Sequence, residues 1–252
     1  MATVLTEPAR RRMSTRFRIY VPIAVFTLVV AFVGFWANYY GRVFTGTVTT
    51  APIIQFHTAI FIGWLLLVTT QAVLPARGRT ALHMRVGNYV MAYGVVVVVV
   101  GVIATFAAFE MHSLAGNPQK ARSQLFIGLT DIATFMPFLA AAWLYRRRPE
   151  VHKRLIIVAT CTLLIAPVHR MSWFLGGPPP PLVPVLLIWM APIYVGMLYD
   201  LITRRIVHPV YLVGIVAIVY MKFWRIPMYQ SKTWDAFADW LHGFMRDPRI
   251  LG

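Results

Sequence analysis

Long apolar runs, each about as long as a bilayer is thick, alternate along the chain with short polar or Pro/Gly-rich breaks. A membrane-spanning helix needs roughly 20 mostly apolar residues, and seven runs approach or exceed that length. The predicted spans are Ile19–Trp36, Ile53–Leu74, Val86–Phe109, Gln124–Tyr145, His152–Phe174, Val183–Leu201 and Pro209–Phe223. The pattern therefore predicts an all-α membrane protein with about seven transmembrane helices.

The same pattern divides the chain into three parts. Residues 1–18 form a basic N-terminal segment, residues 19–224 a single transmembrane helical bundle, and residues 225–252 a tail on the outer side. In the tail, apolar residues recur at helical spacing from Lys232 to Met245, which predicts a short amphipathic helix on the membrane surface. The Gly/Pro-rich stretch 176–181 predicts a stiff connection between spans five and six.

The distribution of basic residues predicts the orientation. The 252-residue chain is 59% hydrophobic and carries a net charge of +16. Most of its Lys and Arg fall in four stretches separated by two crossings each, so all four face one side: Arg10–Arg18, Arg77–Arg85, Arg146–Arg154 and Arg204–Arg205. The positive-inside rule assigns them, and the N-terminus, to the cytoplasmic side of a bacterial inner membrane. Topology explains the charge, so we expect the lipid bilayer as a partner and no nucleic acid.

Three cytoplasmic turns share one layout, in which an arginine precedes a histidine by four residues: Arg79/His83, Arg148/His152 and Arg204/His208. This layout is typical of one anchor helix followed by three repeated hairpins. Positive-inside selection acting on helix starts would produce the same turns without common ancestry. Both explanations predict the same architecture.

Two further features indicate packing. Gly87, Gly94 and Gly101 follow one another at seven-residue spacing in the third span, a stripe that lets another helix approach closely. The single cysteine, Cys161, lies in an apolar run and is expected to be a packed thiol.

A group of ionisable residues is predicted within the outer half of the membrane. His57, Asp131, His169 and Arg170 lie at similar depth on three helices, and such groups are costly at the bilayer centre. One interpretation is a purely stabilising network, in which Asp131 and Arg170 neutralise each other. The other is that this polar pair positions His57 and His169 as ligands of a haem iron or a transition metal.

His83 and His152 form a second histidine level on the cytoplasmic side. Both lie next to arginines at predicted helix starts, a position where histidines also commonly cap the helix or contact lipid headgroups. Two histidine levels match the needs of two stacked b-type haems, with His57/His169 as the outer cofactor-binding pair and His83/His152 as the inner one. The sequence contains no Walker, dinucleotide-binding, HExxH, CxxC or GxSxG motif.

Several local motifs carry a resemblance: Phe56-His57 through Trp64 to Gln71, Leu82–Gly87, Val151–Leu155, and Tyr199–Leu201 to His208-Pro209. In these the chain resembles a widespread group of uncharacterised bacterial multi-pass membrane proteins, which implies an inner-membrane location and one helical domain. It is more loosely similar to diheme transmembrane b-type cytochromes, which implies haem b bound by paired histidines. The fourth span departs from that pattern, since it offers Asp131 and no histidine.

Two functions are consistent with these observations. The first is a membrane redox or electron-transfer protein, or a subunit of one, that binds haem b or a transition metal. The second is a non-enzymatic protein, either an accessory subunit that binds other membrane subunits or a small-molecule carrier.

Overall fold

The computed structural model describes residues 18–171, 175 and 181–246, and in this part of the chain the protein is helical with no strand. Its eight main helices are α1 (Tyr20–Phe35), α2 (Pro52–Ala76), α3 (Thr80–Leu114), α4 (Pro118–Leu144), α5 (Pro149–Leu163), α6 (Leu182–Arg204), α7 (Pro209–Tyr229) and α8 (Lys232–Met245). Seven helical segments are long and apolar enough to cross a membrane. The prediction of an all-α, seven-span membrane protein is confirmed.

Proline marks the start of many of these helices. Its missing N–H and fixed φ suit the first helical position, and four helices begin in this way, at Pro52, Pro118, Pro149 and Pro209. The turns at 77–79, 145–148 and 205–208 lie at one end of the bundle, and together with the adjoining helix ends they carry most of the described Lys and Arg. We call this the basic end, and the other the opposite end.

Several helices run further than predicted. A π-helical turn, Trp36–Tyr40, and a short helical turn, Gly41–Phe44, extend α1. Helix α3 has 35 residues, so His83 lies inside it and not at its boundary. Helix α7 continues to Tyr229, and the expected boundary between bundle and tail at residue 224 therefore falls within a helix. The amphipathic helix predicted at 232–245 is present as α8.

Helix α5 is the central element of the bundle, contacting α1, α4, α6 and α7. Its apolar window is 67% buried, against 39% or less for the other six candidate spans. The helix is interrupted at Leu164 and continues as Ile165–Arg170. Pro167 explains the break, because it has no N–H to donate to the carbonyl of Leu163, four residues earlier. The predicted span end at Phe174, and most of the Gly/Pro-rich stretch, lie outside the described residues.

Glycines permit close helix contacts at selected points. A Cβ added to Gly34 would lie 2.3 Å from the carbonyl oxygen of Pro167, so α1 touches the backbone of the 165–170 segment there. Gly94 and Gly101 also face neighbouring side chains closely, which supports the predicted packing stripe. Gly87 differs, because nothing lies within 4 Å of a Cβ at that position.

Helix α8 is docked on the opposite end of the bundle. Arg122 of α4 donates two hydrogen bonds to Asp239, at 2.9 and 2.6 Å, and the indole N–H of Trp234 donates to the carbonyl of Arg122 at 2.9 Å. Ala238 is fully buried in this contact. The exposed face carries an aromatic row made of Phe237, Trp240 and Phe244. This arrangement suits a helix lying at a membrane surface.

Candidate functional site

His83 and His152 come together at the basic end. Each lies one turn inside its helix, and the ring centroids are 6.4 Å apart with the planes at 73°. Nδ1 of His83 is 3.1 Å from the carbonyl oxygen of Gln71, and Nδ1 of His152 is 2.8 Å from that of Ala142. Since a carbonyl can only accept, each Nδ1 carries the proton in these bonds and each Nε2 keeps a free lone pair. Both imidazoles are thus neutral, and each can offer the lone pair of its Nε2 to a metal ion.

A cavity of about 640 Å³ lies beside the two imidazoles and is bounded by α1, α2, α3 and α5. Its walls are mostly apolar, as is usual for sites that bind small molecules or cofactors. His83, His152 and Gly87 line it, and Arg146, Arg147 and Lys153 contribute positive charge near the turn between α4 and α5. The open space at Gly87 faces this cavity, whereas Gly94 and Gly101 pack against other helices.

A buried ionic network holds α5 against α6 next to this cavity. Arg154 and Asp200 are both fully buried and form a two-point ion pair, with one bond from Nε to Oδ2 at 2.8 Å. Glu150 binds Arg154 at 2.9 Å and also contacts Lys153 and Arg204. Fixed charges therefore surround the turn of α5 that carries His152.

The third Arg/His turn is different in structure from the first two. Arg79 and Arg148 immediately precede α3 and α5, and their carbonyls accept the N–H groups of His83 and His152. His208 instead caps α7, with Nδ1 accepting the N–H of Val210 at 3.3 Å. The shared spacing in the sequence thus gives two equivalent histidines that face one cavity and one capping histidine.

Asp131 pairs with Arg225 and not with Arg170. Nη1 of Arg225 is 2.5 Å from Oδ1 of Asp131. Nη1 of Arg170 donates to the carbonyl of Ala166 at 3.1 Å, and the guanidinium lies 5.0 Å from the ring centroid of Phe35. Arg170 still acts electrostatically on Asp131 and on His57. The expected ion-pair partner of Asp131 is therefore corrected from Arg170 to Arg225.

The two outer histidines have separate contacts. Nε2 of His169 accepts a hydrogen bond from Nζ of Lys222 at 2.7 Å, since an ammonium can only donate. The ring of His57 packs on Phe61, with centroids 4.1 Å apart, and its buried Nδ1 has no hydrogen-bond partner. Ligation by this pair stays a prediction, and Lys222 engages the nitrogen that His169 would need.

Lys222 and Arg225 were not identified as site residues from the sequence. The available signal was their position: two cations three residues apart in the last span, at the end where the positive-inside rule predicts few. Arg154 and Asp200 belong to the local motifs that carry the resemblance, but their pairing across 46 positions leaves no trace in the spacing.

In the described part of the chain, no group of three or more His, Cys, Asp or Glu side chains is arranged to hold a metal ion. Comparisons with protein-family models, curated proteins and solved structures find no match. The resemblances drawn from local motifs stay predictions, and the function has to be argued from the cavity and its histidines.

Proposed function

We propose that this chain is a bacterial inner-membrane redox protein that binds one b-type haem between His83 and His152. The observation that carries the proposal is the geometry of this pair. Two imidazoles on opposite sides of one metal, with metal–nitrogen bonds of about 2 Å, have ring centroids roughly 6 Å apart. The observed separation is 6.4 Å.

The hydrogen bonds of the two rings support the same assignment. A histidine that ligates a metal usually donates its other N–H to a carbonyl or carboxylate, which fixes the tautomer and the ring orientation. Both histidines have this partner, in the carbonyls of Gln71 and Ala142. A haem supplies four nitrogens of its own, so two protein ligands suffice where a bare metal ion would need more.

The cavity also suits the macrocycle and propionates of a haem. Its volume of about 640 Å³ falls in the range of cofactor-sized sites. Gly87, one turn after His83, leaves open space where a flat macrocycle would pass the helix. Arg146 and Arg147 offer cations to the two propionates. When bound, the haem would supply one-electron transfer, while the apolar walls limit the access of water to the iron.

Absorption spectroscopy of purified protein tests the proposal. After expression with adequate haem, we expect a Soret band and the α and β bands of a low-spin, bis-histidine haem. His83→Ala and His152→Ala should each weaken haem binding by more than the 10–100-fold typical of losing a residue that hydrogen-bonds to a ligating side chain. His112→Ala, at the opposite end of α3, is the matched control and should keep the full spectrum. A colourless wild-type protein would refute haem binding.

A second candidate function is a carrier or receptor for a small apolar molecule, and the same cavity favours it. This function predicts a colourless protein that binds an environment-sensitive apolar dye. Dye binding should survive His83→Ala but be lost in Gly87→Leu, which places a bulky side chain in the open space. An accessory role in a larger membrane complex stays a prediction, testable by copurification from native membranes.

A further inference from the structure

The opposite end of the bundle has an excess of positive charge beside its histidines. Arg170, Lys222 and Arg225 all act electrostatically on Asp131, the single carboxylate among them. Arg225 makes the direct ion pair with Asp131. His169 accepts from Lys222, which keeps the ring nitrogen unprotonated. The group therefore carries two positive charges beyond those that its own carboxylate balances.

The other described acidic residues at this end have cationic partners of their own. In the described part of the opposite end, Glu110 is paired with His242 and Arg246, and Asp235 and Asp239 are paired with Arg122. Within the same residues, no carboxylate lies at ion-pair distance from Arg170 or Lys222. Uncompensated charge next to an apolar bundle is costly, so an external anion would stabilise this arrangement.

Arg170 and Lys222 are also held in place. The ring of Phe35 lies under the guanidinium of Arg170, and the bond to the carbonyl of Ala166 fixes its other side. The hydrogen bond to His169 fixes the ammonium of Lys222. His169 and Arg170 are exposed, and Lys222 is half-buried. Cations that are preorganised and accessible, with donors left over, are what a multidentate oxyanion needs.

We propose that Arg170 and Lys222, with His169 positioning the lysine, form a binding site for a phosphate-type anion at the end of the bundle predicted to face the periplasm. An oxyanion at this site would accept hydrogen bonds from either cation, and the positive charge of both would favour its binding. Two sources can supply this chemistry: the headgroup of an anionic phospholipid, or a free phosphate. The site is independent of the haem, because His83 and His152 lie at the other end of the membrane.

The test compares ligand-dependent thermal stabilisation of delipidated protein in detergent. One arm adds inorganic phosphate against chloride at constant ionic strength. The other adds phosphatidylglycerol against a neutral glycolipid without phosphate. Stabilisation in the first arm identifies a free anion as the ligand, and stabilisation only in the second identifies a headgroup. Either result supports the site if Lys222→Gln and Arg170→Gln each weaken the apparent affinity by about tenfold or more, as expected for a lost charged hydrogen bond.

Two further variants keep the test decisive if a substitution perturbs folding. Lys222→Arg preserves the charge and should retain most of the affinity. Lys120→Gln removes a cation from the same side of the protein, away from the site, and should change nothing beyond general screening. The inference is overturned if neither ligand stabilises the wild type. It is also overturned if Lys120→Gln reduces the affinity as much as Lys222→Gln does.

Discussion

Nη1 of Arg225 on α7 donates a 2.5 Å hydrogen bond to Oδ1 of Asp131 on α4, joining residues that are 94 positions apart in the chain. The arginine side chain is 8% exposed and the aspartate side chain 22%, so the pair is mostly buried but keeps some contact with its surroundings. Removing one partner would leave the other charge uncompensated beside apolar helices, which is costly.

We therefore expect Asp131→Asn and Arg225→Gln each to lower the free energy of unfolding by about 1–3 kcal/mol. The double variant should lose less than the sum of the singles, with a coupling energy of about 0.5–3 kcal/mol in a double-mutant cycle measured by detergent unfolding. The cycle of Asp131→Asn with Arg170→Gln provides the comparison. A coupling with Arg170 as large as that with Arg225 would contradict the observed pairing.

The buried ion pair of Arg154 and Asp200 should have a larger effect. Both side chains are fully buried, and Asp200→Asn leaves the Arg154 guanidinium with Glu150 as its one acidic partner, so we expect a cost of about 3–5 kcal/mol. Replacing both residues with apolar ones, as in Arg154→Met with Asp200→Leu, should restore part of that loss because no charge is left buried. A double variant as unstable as Asp200→Asn would show that the pair does more than neutralise charge.

Two glycines should respond in opposite directions to alanine. At Gly34 the new Cβ would lie 2.3 Å from a backbone oxygen that cannot rotate away, so we expect destabilisation of about 1–3 kcal/mol. At Gly87 nothing lies within 4 Å, and the higher helix propensity of alanine should stabilise by about 0.5–1 kcal/mol. Unfolding titrations of the two variants, measured side by side, check the signs. Equal destabilisation would argue against the open space at Gly87.

The orientation can be tested with topology reporters. The positive-inside rule predicts that a reporter fused after Arg148 is cytoplasmic and one fused after Pro179 is periplasmic. Alkaline phosphatase should be active only at the second site, and green fluorescent protein should fluoresce only at the first. The reverse pattern would invert the assignment of the basic end.

The helices could be predicted from the sequence because lipid imposes a simple rule: each span must be long and apolar. Their ends were less predictable, since α3 and α7 continue past the apolar stretch with polar residues such as His83 and Arg225 inside the helix. Periodicity describes one helix at a time. It therefore placed His83 and His152 at the same depth in the membrane but gave no distance between their rings.

For the ion pairs too, the sequence predicts how deep a charged residue lies in the membrane but not which side chain it contacts. Depth along a helix follows from counting residues at about 1.5 Å each, and this brought Asp131 and Arg170 to one level. Which cation reaches the carboxylate depends on how helices rotate and pack, and α7 presents Arg225 to Asp131. The break at Leu164 adds to the difficulty, because it changes the course of the helix just before Arg170.

The turn between α4 and α5 covers only residues 145–148, and it lies beside the mouth of the cavity. A connection this short cannot open and close as a lid, so helix ends frame the mouth and its shape is present once the bundle has folded. Under the proposed function, folding and haem loading would then be separable steps in biogenesis. Haem could be acquired by an already inserted protein, from the side of the membrane that the basic end faces.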